Sequence, residues 1–201
     1  PAGLRELLEF RDQVVEVVLL LVRHEPEEAR GCVAFGARGL GLAFQRVAQV
    51  ERWARKVMAV IFVATGTGLA PYISMLRSRY AFDAGHRTVI VHGSRVSYDL
   101  GYRSELEGLA SRYENVTYLP IIDEPHRDPG WTGEVGFVDR HFDDGRVEAA
   151  LGHPLDPART SVFLCGNPLM IEGMRVRLEG EGFRVHSRKE PGQVFIEEFW
   201  K

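Results

Sequence analysis

Cysteine is scarce in this sequence. Cys32 and Cys165 are its only two, too few and too far apart for the disulfide framework of a small secreted domain. A reducing, cytoplasmic setting is therefore expected. Long apolar runs are missing as well. The longest, Val14–Val22 with Glu16 inside it and Val57–Ala64, fall well short of the ~20 residues a membrane helix needs. No basic-then-apolar signal opens the chain. An excess of one charge is also absent: 25 Lys and Arg stand against 28 Asp and Glu, a formal net charge of −3. Such a balance gives no electrostatic pull toward nucleic acid or an anionic membrane. An initiator methionine is lacking too, and Pro1 reads as a cut rather than a natural start.

Metal-ligand spacing is not found among the seven histidines. His126, His141 and His153 read as scattered, solvated loop residues, so no metal is expected. Ser94 has no motif-placed base, which argues against a serine nucleophile.

What is present is ordinary globular composition, 45% hydrophobic and 26% charged over 201 residues. That length suits one full domain plus a fragment, or two very small ones. From residue 57 onward the pattern alternates. Val57–Ala64, Thr88–His92, Val116–Ile122, Ser161–Cys165 and Phe183–Ser187 read as five strands. Helical stretches at Ala70–Phe82, Leu100–Tyr113 and Met170–Glu181 lie among them. Continuous apolar strands separated by amphipathic helices imply a doubly wound α/β domain, a parallel five-stranded sheet with helices on both faces. Residues 1–56 lack this rhythm. Asp12–Arg23 fits a strand or a helix equally, and the boundary is placed at residues 56 and 57.

The turn after the first strand is informative. In VIFVATGTGLAPYISMLRSRY (Val60–Tyr80) a strand ends at Ala64, Thr65-Gly66-Thr67-Gly68 turns, and a helix starts near Ala70 with Pro71 in its first turn. Glycines let backbone amides approach a ligand, and a helix N-terminus favours negative charge, so a pyrophosphate suits this spot. Proline there is harmless, because that amide has no intrahelical partner. Taken alone, such a turn is either a phosphate cradle or merely tight. Cys165-Gly166-Asn167-Pro168 repeats the arrangement after a later strand. By itself Cys165 would read as a buried structural thiol.

Four motifs in order, ATGTGLAPYISMLR, HGSR…DLGYRSEL, FLCGNPLMIEGM and PGQVFIEEFW, resemble the bacterial ferredoxin–NADP reductases. The resemblance spans roughly 57–201. It implies that Thr65, Gly66, Thr67, Gly68, Ala70 and Pro71 form the approach for pyrophosphate and nicotinamide. It implies further that Cys165, with Gly166, Asn167 and Pro168, lies near the nicotinamide during hydride transfer. Phe199 matches the aromatic that stacks on the flavin ring, Trp200 an adenine-stacking tryptophan, and Glu197 a glutamate tied to proton or hydride steps. Arg95, Tyr102 and Arg103 match places where NADP-dependent members carry basic residues or a tyrosine.

The third strand departs from that pattern. Ile122-Asp123-Glu124-Pro125 stands where a Ser-Arg is usual, and a carboxylate such as Asp123 would repel a 2′-phosphate. The stretch through Trp131 and Gly136-Phe137-Val138 looks more like NADH-using cytochrome reductases. NADP is the expected nicotinamide, with NAD open. A complete reductase of this family also has a flavin-binding barrel carrying Arg-x-Tyr-Ser, and that motif is absent from this sequence. Residues 1–56 read as the remnant or diverged end of such a barrel, poorly packed or paired with another chain.

Two functions follow from the resemblance. One is a flavin-dependent oxidoreductase passing electrons between NAD(P)H and a one-electron carrier, ferredoxin or flavodoxin, with FAD as its flavin. The other is a flavin-free nicotinamide-nucleotide module, inactive alone or completed by a partner chain.

Overall fold

A computed structural model describes residues 59–77, 86–187 and 189–197. All belong to the second of the two units into which the chain divides, Met58–Lys201. Residues 1–56, Phe199 and Trp200 lie outside the described residues.

Six strands form one parallel sheet: β1 (Ala59–Thr65), β2 (Arg87–Ser94), β3 (Val116–Ile122), β4 (Glu134–Val135), β5 (Thr160–Cys165) and β6 (Val194–Glu197), in the order β4-β3-β2-β1-β5-β6. The helices are α1 (Ala70–Arg77), α2 (Arg103–Arg112), α3 (Arg140–Asp143), α4 (Arg146–Leu151) and α5 (Pro168–Gly180). The strands are β-branched and apolar because both faces of the central ones are covered. Strand β1 is buried from Ala59 to Ala64.

Alternation along the strands sorts the core into two layers. Ile61, Val63, Val89, Val91, Val162 and Leu164 pack with Phe142 of α3, Val147 and Leu151 of α4, and Ile171, Met174 and Leu178 of α5. On the opposite face Phe62 stacks on Tyr72 of α1, with ring centroids 4.7 Å apart. Phe163 and Phe195 continue that layer, stacked at 4.7 Å, and His186 stacks on Phe195. Such ring pairs contribute about 0.5–1.5 kcal/mol each beyond burial.

The sheet has six strands rather than five, and its last strand is not the expected one. Phe183–Ser187 makes only an isolated bridge, Val185 to Val194. Phe183 is held back against the end of α5, its amide donating to the Leu178 carbonyl at 3.0 Å. The place beside β5 goes instead to Val194–Glu197, which presents Val194 and Phe195 to the two core layers. Strand β4 is two residues long, too short for any periodicity to register.

Helix α1 begins at Ala70 as expected, and residues 78–82 of the anticipated helix lie outside the described residues. Helix α2 starts later than Leu100. A short turn, Ser97–Asp99, is closed by the Leu100 amide on the Ser97 carbonyl at 3.2 Å, and Tyr102 then turns the backbone with φ 58°. His141 is a second correction. It is buried in α3, 1% exposed, because that short helix lies against the sheet. Burial in turn lowers its pKa.

Candidate functional site

The two glycine turns, one hundred residues apart in sequence, interlock at the carboxyl ends of the adjacent strands β1 and β5. A Cβ at Gly68 would lie 2.3 Å from the Cys165 carbonyl oxygen. One at Gly166, where φ is +140°, would lie 2.2 Å from Thr65 Oγ1. Only hydrogen fits at either position. Thr65 Oγ1 accepts from the Asn167 amide at 2.8 Å, fastening the second turn to the first. Asn167 Oδ1 then caps α5 by accepting from the Leu169 amide at 2.8 Å, with Pro168 at the first helical position. Gly66 and Thr67 are exposed, and Ala70 and Pro71 open α1 directly behind them. The product is a bare backbone rim in front of two helix N-termini, at the crevice where open α/β sheets hold ligands.

Behind the rim sits a buried acid–thiol pair. Cys165 and Glu197 are register partners on β5 and β6, so their side chains share a face. Cys165 Sγ donates to Glu197 Oε2 at 3.8 Å, a weak bond to sulfur. Burial raises both groups: the thiol is pushed up to about 12, with the nearby carboxylate adding to the effect, and the Glu197 carboxyl rises to about 7. A free, protonated thiol is the result, beside a carboxyl able to hold or release a proton near neutrality. Sequence reasoning missed Tyr72. Its fully buried phenol is raised well above its ordinary range, first by burial and then by Cys165 and Glu197. The aromatic at the third position of α1 is the signal that could have marked it.

Of the remaining expected residues, Arg95 and Asp123 lie at the carboxyl ends of β2 and β3. Arg95 is exposed, and its carbonyl accepts from the Glu124 amide at 2.8 Å. Asp123 is exposed, its amide held by the Ser94 carbonyl at 3.1 Å. Asp128 accepts from the Ser97 amide at 2.8 Å, so the loops after β2 and β3 are tied together. Tyr102 and Arg103 are engaged elsewhere. The Arg77 guanidinium lies 5.3 Å over the Tyr102 ring while pairing with Glu105 at 2.8 Å. Arg103 pairs with Glu107 at 2.7 Å and lies 5.0 Å over Trp131. In this position Arg103 anchors the loop after β3. Arg127, which the sequence reading passed over, pairs with Glu124. The Glu-x-x-Arg spacing was the available signal.

This fold and rim define a nucleotide-binding domain of the doubly wound class. Residues 62–176 match the oxidoreductase NAD-binding domain family, and the chain belongs to that family. Its C-terminal part is similar to ferredoxin–NADP reductases. It is 38% identical over 121 residues to ferredoxin–NADP reductase B of Sorangium cellulosum, covering 60% of this chain and 48% of the relative. With the flavodoxin/ferredoxin–NADP reductase of Escherichia coli it shares 30% identity over 139 residues, 69% of this chain and 55% of that one. The chain thus spans about half the length of these curated relatives.

Among solved structures, a ferredoxin NADP+ reductase from Neisseria gonorrhoeae with bound FAD and NADP superposes with a TM-score of 0.62 at 22% identity, covering 73% of this chain and 58% of that one. The cytochrome b5 reductase domain of Ulva prolifera nitrate reductase gives 0.55 at 26%, covering 70% and 50%.

Proposed function

We propose that this chain supplies the nicotinamide-dinucleotide domain of a flavin-dependent reductase that moves electrons between NAD(P)H and a one-electron carrier such as ferredoxin or flavodoxin. The interlocked rim carries this reading. Gly68 and Gly166 leave backbone where a side chain would fill the crevice, and the Cys165–Glu197 pair stands directly behind it. The amides of Gly66, Thr67 and Gly68 would hold the pyrophosphate in front of α1. A flavin, when bound, supplies the chemistry that separates a two-electron hydride into single electrons. This chain's own residues shape the nicotinamide end. There Cys165 fills the floor, and the Glu197 carboxyl, raised to about 7, accepts from the Cys165 thiol at Oε2 with Tyr72 beneath. Phe199 and Trp200, by the family resemblance of the PGQVFIEEFW ending, would cover the flavin and the adenine.

NADP is the nicotinamide assigned, on the likeness to ferredoxin–NADP reductases over the C-terminal part. Among the described residues no helix is long and apolar enough to cross a membrane. A cytoplasmic setting is proposed from the two separated cysteines and the free Cys165 thiol. A second reading is a flavin-free nucleotide module that a partner chain completes, since the site residues the structure describes all belong to the nucleotide-binding unit.

The visible spectrum of the purified chain after FAD addition and desalting separates the two. Retained flavin bands, with bleaching on NADPH addition, are expected for the reductase. A colourless chain that still binds NADPH supports the module, and failure to bind either nicotinamide removes both readings.

A further inference from the structure

We propose that the Glu124 carboxylate is a built-in stand-in for a 2′-phosphate, so that the chain accepts NADH alongside NADPH. The proposal rests on the reading that this chain binds a nicotinamide dinucleotide, and it concerns the corner beyond the rim.

Two loops build that corner. The loop after β2 carries Arg95 and the Ser97–Asp99 turn, and the loop after β3 carries Asp123 to Asp128. Three hydrogen bonds already described hold them together, from the amides of Asp123, Glu124 and Ser97. The Arg127 amide donates to the Glu124 carbonyl at 3.1 Å, folding the loop so that Arg127 Nη1 donates to Glu124 Oε2. Arg95 and His126 act on the same carboxylate electrostatically. One guanidinium bonded to this anion and a second acting on it at longer range form the charge pattern that recognises a phosphate.

The frame holding this anion is firm. Val96 and Leu100 are buried on either side of the exposed turn. Trp131 Nε1 donates to the Glu134 carbonyl at 2.8 Å while Arg103 covers its ring. By contrast the ion pair itself is partly open to water, Arg127 47% and Glu124 29% exposed. Such a pair is weakly held and can be displaced.

An entering 2′-phosphate must take Arg127 away from Glu124 and then lie beside the displaced carboxylate. A ribose with a free 2′-hydroxyl displaces nothing, and its hydroxyl can donate to a carboxylate. Glu124 therefore narrows the advantage that the cations would otherwise give NADPH.

Calorimetric titration of the full chain with AMP and with 2′-phospho-AMP tests this without any flavin. Glu124→Gln is expected to tighten 2′-phospho-AMP about fivefold, the scale of one partly exposed charge, while AMP holds or weakens slightly, because the amide oxygen still accepts from the 2′-hydroxyl without the charge. Adding Arg127→Gln to that variant is expected to remove the gain. An equal change for both nucleotides, no change, or the same gain from Asp123→Asn would overturn the assignment to Glu124. If the wild-type chain binds neither nucleotide, the domain reading falls and this inference with it. Wild-type binding combined with an inert Glu124 defeats the inference alone.

Discussion

Gly166 has little freedom. Its φ of +140° and a would-be Cβ contact of 2.2 Å to Thr65 Oγ1 and 2.8 Å to the Thr65 backbone leave no room for a side chain. Gly166→Ala is expected to cost roughly 2–3 kcal/mol, lowering the melting temperature by about 5–10 °C. Thermal unfolding by circular dichroism measures it, and an unchanged midpoint would mean that the two turns do not interlock. The strand-turn-helix pattern had already singled out both turns. Their mutual contact was not visible, because it joins residues whose closeness depends on β1 and β5 being neighbours. The same holds for Cys165 and Glu197, and for Tyr72 beneath them.

Among the elements, α5 shows most directly how sequence becomes structure. Asn167 caps it through Leu169 while its own amide reaches Thr65, so one residue starts a helix and closes the site. Asn167→Ala is expected to cost about 1 kcal/mol through the lost cap, with a fall of roughly 2–4 °C in melting temperature. Nicotinamide-nucleotide affinity should fall in parallel, since the cap orients the rim, and a stability loss with unchanged affinity would confine Asn167 to capping.

Strand assignment shows the limit of local pattern. Both Phe183–Ser187 and Val194–Glu197 offer a short apolar stretch after α5. The helix end holds Phe183 back, and Gly192 then lets the chain pass so closely that a Cβ there would meet the Arg184 carbonyl oxygen at 2.2 Å. No periodicity encodes that choice.

Across the whole molecule, two buried groups pull the pH dependence of stability in opposite directions. Glu197 rises from an ordinary 4.5 to about 7, chiefly by burial. Between those values the native state binds the extra proton, so stability falls as pH climbs through that window. His92 is fully buried on β2, with Nδ1 3.1 Å from the Tyr118 hydroxyl and no partner for Nε2. Burial lowers it from 6.5 to about 4. Between those values the unfolded chain binds the extra proton, so stability rises with pH. Each contribution is at most on the order of 3 kcal/mol, and they offset between about pH 4.5 and 6.5. Glu197→Gln should therefore unmask a clear rise in stability across that window, read by urea unfolding at stepped pH. A profile parallel to the wild type would show that Glu197 does not hold the raised value.

By itself the sequence determined the class of fold, because buried parallel strands and covering helices leave periods that composition cannot hide. It also marked both glycine turns, since tight turns and helix starts draw on few residue types. Only the tertiary structure decided which stretch became the last strand. It also decided that His141 is buried and that Arg103 serves Trp131, and it paired Glu124 with Arg127. Each of those outcomes depends on a competition for space or for a charge among segments distant in sequence, and that competition is settled only when the sheet order brings them together.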